Sequence, residues 1–114
     1  MRAERVGQEI KRLISEIIRD EIRDPRIGFI TITDVELSKD LRDANVYFSV
    51  LGSKEQEKKS IEGINQASAF IRKLIGERIK LRFNPQLKFK LDRSIAYGMK
   101  IEKMLKEIKD EKKK

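Results

Sequence analysis

The periodicity of apolar residues changes along this chain, and that change most constrains its fold. From Arg2 to Arg23, apolar side chains recur at three- and four-residue steps, which predicts an amphipathic helix. The stripe consists of Val6, Ile10, Leu13, Ile14, Ile17, Ile18 and Ile22. Asp24-Pro25 then predicts the end of the helix, because a residue that precedes proline is disfavoured in the helical conformation.

The next segment alternates between apolar and polar residues with a period of two. Two such runs, joined by residues 38–41, predict a β-hairpin. In the first run, one face carries Phe29, Thr31, Thr33, Val35 and Leu37, and the other carries Ile30, Ile32, Asp34 and Glu36. In the second run, one face carries Ala44, Val46, Phe48 and Val50, and the other carries Asn45, Tyr47, Ser49 and Leu51.

Helical spacing returns after Gly52. Ser53 and Gln56 have the spacing of a capping box, which predicts a helix from Lys54 to Gln66. We expect a break at Ala67-Ser68-Ala69, followed by a second helix over residues 70–79. A third strand is predicted where Leu87, Phe89 and Leu91 alternate with polar residues. Its other face carries Lys88, Lys90 and Asp92.

The last apolar pattern is helical and predicts a closing helix over Tyr97–Lys109. Residues 110–114 are charged and are expected to form a disordered tail, which leaves residues 1–109 as one domain of ordinary size. The element order predicts an α+β fold in which helices pack on one face of a three-stranded sheet. Two helices that meet at a small-residue corner beside a basic strand are the arrangement of KH-type RNA-binding modules.

Two residue types are missing, and their absence excludes much of enzyme chemistry. The chain has no cysteine and no histidine, which removes thiol nucleophiles, disulfides, thiolate zinc sites and the commonest general base. The hairpin carboxylates Asp34, Glu36, Asp40 and Asp43 point in alternating directions, so we expect no metal site. We therefore expect a protein without catalytic residues, cofactor or small-molecule substrate. No apolar run reaches the roughly 18 residues of a membrane span, so a soluble, cytoplasmic protein is expected. The predominantly polar exterior, without an obvious apolar patch, predicts a monomer.

The net charge of +8 is concentrated in one part of the chain. Residues 1–65 have 12 basic and 13 acidic side chains, whereas residues 66–106 have 11 basic and 3 acidic ones. A block this basic indicates a polyanionic partner, and nucleic acid fits best. The predicted RNA-binding residues are Ser68, Arg72, Lys73, Arg78, Lys80, Arg82, Lys88, Lys90 and Arg93.

Other interpretations of these residues remain open. The basic block could be an ordinary solvated surface, it could dock an acidic protein, or a helix could read duplex DNA. Ser68 could meet a backbone phosphate or could cap the following helix. Tyr47 and Tyr97 are candidates for stacking on unpaired bases, and Phe83 could stack or pack. Core packing is the expected role of the remaining aromatic residues, Phe29, Phe48, Phe70 and Phe89.

Five blocks spread over nearly the whole chain are individually distinctive. They are RVGQEIKRLISEII at 5–18, DPRIGFITITDVELSKDL at 24–41, ANVYFSV at 44–50, ASAFIRKLIG at 67–76 and LRFNPQLKFKLDRS at 81–94. In these blocks the chain resembles the bacterial ribosome-binding factor A family. The resemblance implies association with the free small (30S) ribosomal subunit and its rRNA, late maturation of 16S rRNA, and importance in cold adaptation.

The resemblance also implies a type II KH fold of the order α-β-β-α-kink-α-β with a C-terminal helix. In that family an Ala-x-Gly kink replaces the usual GxxG loop between the two middle helices. The corresponding residues here are Ala67-Ser68-Ala69, so alanine stands where the family pattern has glycine. Because alanine adopts fewer backbone conformations than glycine, phosphate binding in the GxxG manner is not expected at this corner.

Overall fold

The fold is an α+β arrangement of two long helices and three strands, as the sequence predicts. The computed structural model describes residues 2–80 and 84–92. Its elements are α1 (Arg2–Asp20), a 3₁₀ helix (Pro25–Ile27), β1 (Ile30–Leu37), β2 (Asp43–Val50), α2 (Lys54–Arg78) and β3 (Gln86–Leu91). The expected closing helix over Tyr97–Lys109 and the tail over residues 110–114 lie outside the described residues.

The three strands form one sheet in the order β1-β2-β3. β1 and β2 pair antiparallel as the predicted hairpin, whereas β2 and β3 pair parallel. Parallel neighbours need a long crossover connection, and α2 supplies it. The register places Val46 beside Phe89 and Phe48 beside Leu91, so the apolar residues of both strands face the same side.

The core lies between this side of the sheet and the two helices. It is composed of Ile10, Ile14 and Ile17 from α1, Ile64, Ile71 and Ile75 from α2, and Ile32, Val35, Ala44, Val46 and Phe48 from the sheet. The prediction that the helices pack on one face is confirmed. The opposite side, which we call the open face, carries Thr31, Thr33, Asp34, Glu36, Asp43, Asn45, Tyr47, Ser49, Gln86, Lys88 and Lys90. In the part of the chain that the structure describes, no helix is long and apolar enough to cross a membrane.

A β-bulge in β1 makes the predicted division of that strand into two faces wrong. The register advances from Ile32 opposite Phe48 to Asp34 opposite Tyr47, which leaves Thr33 as the extra residue. An extra residue reverses the alternation beyond it. Ile32 and Val35 are therefore both buried in the core, although strict alternation places them on opposite faces.

Helix α1 ends at Asp20, three residues before the predicted end. Asp24 instead caps the 3₁₀ helix, because its carboxylate accepts from the backbone N–H of Arg26 at 3.0 Å. The Arg26 guanidinium donates back to Asp24 at 2.6 Å and to Gln66 Oε1 at 2.8 Å. Ser60 Oγ donates to the Arg26 carbonyl at 2.7 Å. These bonds tie the 3₁₀ helix to α2.

Helix α2 begins as predicted but is one continuous helix of 25 residues. Ser53 Oγ accepts from the Gln56 backbone N–H, and the Gln56 side chain accepts from the Ser53 backbone N–H, which confirms the capping box. The expectation of two separate helices that meet at Ala67-Ser68-Ala69 is wrong, since all three residues are helical. Alanine is the strongest helix former and serine is only mildly unfavourable, so nothing in this triplet interrupts the backbone hydrogen bonds.

Candidate nucleic-acid interface

The predicted RNA-binding residues are divided between two sides of the molecule. Ser68, Arg72, Lys73 and Arg78 belong to α2, and Lys80 follows it, whereas Lys88 and Lys90 belong to β3. Because α2 covers the core side of the sheet, the two lysines of β3 point away from the helices. Two further members of the predicted set, Arg82 and Arg93, lie outside the described residues.

Lys88 and Lys90 lie side by side on the open face. Strand alternation turns Leu87, Phe89 and Leu91 towards the core and leaves both lysines exposed. In the register, Lys88 stands beside Asn45 and Lys90 beside Tyr47 on the central strand. Neither lysine takes part in an ion pair within residues 2–80 and 84–92. Both ammonium groups are thus available to an anionic ligand.

Arg72 has a structural partner in the turn before β3. Its Nε donates to the Pro85 carbonyl at 3.1 Å, and its Nη2 donates to the Asn84 carbonyl at 2.8 Å. The Asn84 side-chain amide donates to the Arg72 carbonyl at 3.0 Å. Gly76 permits this contact, since a Cβ there would lie 2.8 Å from Asn84 Nδ2. Arg72 and Asn84 therefore hold the turn against α2.

Arg78 also forms an ion pair, whereas Lys73 and Lys80 form none within the described residues. Arg78 Nη2 pairs with Glu21 Oε1 at 3.0 Å and connects the end of α2 to the segment after α1. Lys73 and Lys80 are exposed, and within the described ranges neither has an ion-pair partner. Of the α2 group, these two lysines are the better candidates for contact with phosphate.

Ser68 cannot have either of its two expected roles at a helix start. It is half-buried in the interior of α2, whose N-cap is Ser53. Helical N–H groups in such a position already donate to carbonyls four residues earlier, so no free N–H groups surround Ser68 to bind a phosphate. Both expectations, a helix cap and a phosphate site aided by a helix N-terminus, are wrong.

Tyr47 lies at the centre of the open face with carboxylates on one side. Its hydroxyl donates to Glu36 Oε2 at 3.4 Å, a long bond. Burial, followed by the charge of Glu36, raises the pKa of Tyr47 above its usual value, and Asp34 and Asp92 add to the effect. The Asp92 carboxylate accepts from Thr33 Oγ1 at 2.7 Å across the sheet. Tyr47 is half-buried and lies off the core, on the side that the alternation of the second run predicts.

The bulge turns two of the hairpin carboxylates to the open face. Asp34 and Glu36 are both exposed on the open face. Strict alternation places them on the side of Ile30 and Ile32, because it does not include the bulge. Asp40 is instead part of the hairpin turn, where it accepts from Ser38 Oγ and the Arg42 backbone N–H. The bond from Ser38 lowers the pKa of Asp40. The described residues contain no cluster of three or more side chains suited to a metal ion.

The four phenylalanines expected in the core divide equally. Phe48 is buried, and Phe89 packs edge-on against it with ring centroids 6.5 Å apart. Phe29 is 45% exposed and Phe70 is 44% exposed, so core packing is the wrong prediction for these two. Phe29 precedes β1, and Phe70 lies on the outer side of α2. Tyr97 and Phe83 lie outside the described residues.

Known proteins share both the sequence and the fold of this chain. The family model described as Ribosome-binding factor A matches residues 2–105. Ribosome-binding factor A of Halothermothrix orenii is 48% identical over 110 residues, which cover 96% of this chain and 90% of that protein. The crystal structure of ribosome-binding factor A from Thermus thermophilus matches with a TM-score of 0.71 and 25% identity, over 81% of this chain and 98% of that one.

One further match is to a family member fitted into a complex with 30S. A homology model of the Thermus thermophilus protein, fitted into a cryo-EM map of a 30S–RbfA complex, has a TM-score of 0.65 and 25% identity to this chain. The match covers 80% of this chain and 96% of that one. These structures have the KH-like fold described above. Because the family model and the identity extend over nearly the whole chain, the protein belongs to the ribosome-binding factor A family.

Proposed function

We propose that this protein binds the free 30S ribosomal subunit as an assembly factor and assists late maturation of 16S rRNA. In this proposal it is a non-catalytic, cytoplasmic monomer that is most important during cold adaptation. The observation that carries the proposal is the match to a family member fitted into a 30S complex. The family model matches residues 2–105, so the similarity to the family extends over nearly the whole chain.

Exposed lysines on one of the two sides of the sheet supply the chemistry for rRNA binding. Lys73, Lys80, Lys88 and Lys90 have no ion-pair partner within the described ranges. Each lysine that neutralises a phosphate releases condensed counterions, which makes affinity depend steeply on salt. Because lysine contacts to the backbone carry no sequence information, selectivity comes from the folded shape of the rRNA.

Sedimentation with purified subunits tests the proposal. The wild-type protein should bind 30S subunits and should not bind 50S subunits. Lys88→Glu/Lys90→Glu should weaken 30S binding by about tenfold at moderate salt, because two phosphate contacts become repulsive. Lys54→Glu/Lys58→Glu is the matched control, since it changes the net charge equally on the exposed first turns of α2 and should retain affinity.

A protein-free 16S rRNA transcript separates RNA binding from docking on a ribosomal protein. Direct rRNA contact requires that the transcript compete for the protein, and that competition weaken with added salt. An adaptor for an acidic protein would bind intact subunits and ignore the transcript. Equal binding to 30S subunits, 50S subunits and duplex DNA would contradict the proposed function.

A further inference from the structure

The open face has a polar surface that no helix of the described chain covers. Its central strand carries Asn45, Tyr47 and Ser49, and the neighbouring strand β1 contributes Thr31 and Thr33. Apart from the ring of Tyr47, these side chains offer hydroxyls and an amide and no large apolar group. A partner that buries an apolar surface would leave those groups without hydrogen bonds. The face therefore suits a polar ligand with one flat, stackable part.

Between Asp43 at one end of this face and Asp92 at the other, its charges are separated across the sheet. Asp34 and Glu36 lie along β1, whereas Lys88 and Lys90 lie along β3, with β2 between them. Because adjacent strands are about 4.8 Å apart, the two rows of charge are on the order of 10 Å apart. This is comparable to the distance from the pairing edge of a nucleotide base to its phosphate. An anionic group is attracted to the β3 side and repelled from the β1 side, which fixes the direction of a bound nucleotide.

We propose that the open face binds an unpaired RNA nucleotide whose base stacks on Tyr47. The flanking phosphates contact Lys88 and Lys90, and the amino group of the base donates to the carboxylates of Asp34 and Glu36. Stacking on an aromatic ring is a common way for proteins to hold single-stranded RNA. The inference rests on the proposed function and adds a subsite to it, on the side of the sheet away from α2.

The carboxylates predict a base preference. Acidic side chains accept hydrogen bonds from the amino group of cytosine, whereas uracil has a carbonyl oxygen at the same position, which a carboxylate repels. The two pyrimidines present similar faces to Tyr47, so the comparison isolates the hydrogen bonds. The site should therefore prefer cytosine to uracil.

Fluorescence anisotropy with labelled eight-nucleotide oligo(C) and oligo(U) tests this inference. Wild-type protein should bind oligo(C) about tenfold more tightly than oligo(U). Tyr47→Ala should weaken oligo(C) binding by about tenfold, because one stacked base is lost. Tyr47→Phe keeps the ring and is the matched control, with affinity within about twofold of wild type.

A second pair of variants guards against a folding defect in Tyr47→Ala. Asp34→Asn/Glu36→Gln keeps the shape of the open face and should abolish the preference for oligo(C), while circular dichroism reports the retained fold. Equal affinity for the two oligonucleotides, or equal binding of oligo(C) by wild type and Tyr47→Ala, would overturn the inference. Binding of 30S subunits by the wild-type protein, measured in parallel, separates that failure from failure of the proposed function.

Discussion

Arg72 shows how a residue suited to RNA binding can have a structural role. Its guanidinium donates to two backbone carbonyls in the turn before β3, and the Asn84 side chain donates back to the Arg72 carbonyl. The planar guanidinium presents two donors in a geometry that fits such a pair of carbonyl acceptors, and a lysine ammonium could not replace it. The sequence places Arg72 among basic residues but contains no signal for its partner, because Asn84-Pro85 is recognisable only as a turn.

Replacing Arg72 should therefore reduce stability more than binding. We expect Arg72→Gln to lower the free energy of unfolding in urea by about 1–2 kcal/mol, since hydrogen bonds from a charged donor are lost. A double-mutant cycle with Asn84→Ala should show coupling, because each side chain bonds to the backbone of the other residue and both hold the same turn. Lys73→Gln, at the exposed neighbouring position, should change stability by less than about 0.5 kcal/mol. A stable Arg72→Gln protein with weakened 30S binding would show that Arg72 contacts RNA instead.

Asp24 gives the protein a defined response to acid. Hydrogen bonds from the Arg26 side chain and then from its backbone N–H lower the pKa of Asp24. A carboxylate with a lowered folded-state pKa contributes stability that is complete above its unfolded pKa, near pH 4, and that is lost as the pH falls further.

Urea unfolding between pH 2.5 and 7 measures this contribution. Wild type should be more stable than Asp24→Asn by a constant amount above about pH 5, and the difference should shrink below about pH 4. Arg26→Gln removes the cationic partner, so the same comparison in that background should show a much smaller acid step. A difference between wild type and Asp24→Asn that is independent of pH would contradict the ion pair.

At the scale of elements, hydrophobic periodicity predicts which segments are helices and strands but does not predict irregularities. The stripe of α1 and the faces of β2 agree with the structure because no residue is inserted in either. One extra residue, Thr33, reverses β1, and the polar sequence around Asp34 gives no sign of it. The parallel pairing of β2 with β3 depends on how α2 crosses the sheet, which a pattern within a single strand does not contain.

The continuity of α2 can be tested at Ala69, where the family pattern has glycine. If residues 67–69 are ordinary helix interior, Ala69→Gly should destabilise the protein by about 1 kcal/mol. Lys58 is exposed in the first half of the same helix, so the difference between Lys58→Ala and Lys58→Gly gives the reference cost of glycine in α2. Thermal or urea unfolding should give equal alanine-to-glycine costs at the two positions. A stabilising or neutral Ala69→Gly would show that the backbone at this point favours a non-helical conformation.

At the scale of the whole molecule, the sequence predicts the amount of positive charge but not the side of the molecule on which each basic residue lies. Residues 66–106 contain 11 basic side chains, and a linear count treats them as one group. In the structure, two arginines form bonds within the fold, Lys73 and Lys80 lie in or beside the helix layer, and Lys88 and Lys90 lie on the open face. This separation arises because the helices cover only one side of the sheet, whereas the side chains of a strand alternate between its two sides. Basic residues that are close in sequence therefore lie on different sides of the molecule.

The two lysine pairs therefore allow a test of which side meets the ribosome. We expect the open face to contact rRNA, since its lysines lie on the strand beside the stacking position at Tyr47 and those of the helix layer do not. In a plot of log affinity for 30S subunits against log salt concentration, Lys88→Gln/Lys90→Gln should reduce the slope by about one for each lysine, because each lost phosphate contact retains its counterion. Lys73→Gln/Lys80→Gln carries the same change in net charge and should reduce the slope by less than about half as much. If the second pair lowered the slope and the first did not, the helix layer would be the ribosome-facing side, and the lysines of β3 would serve solubility alone.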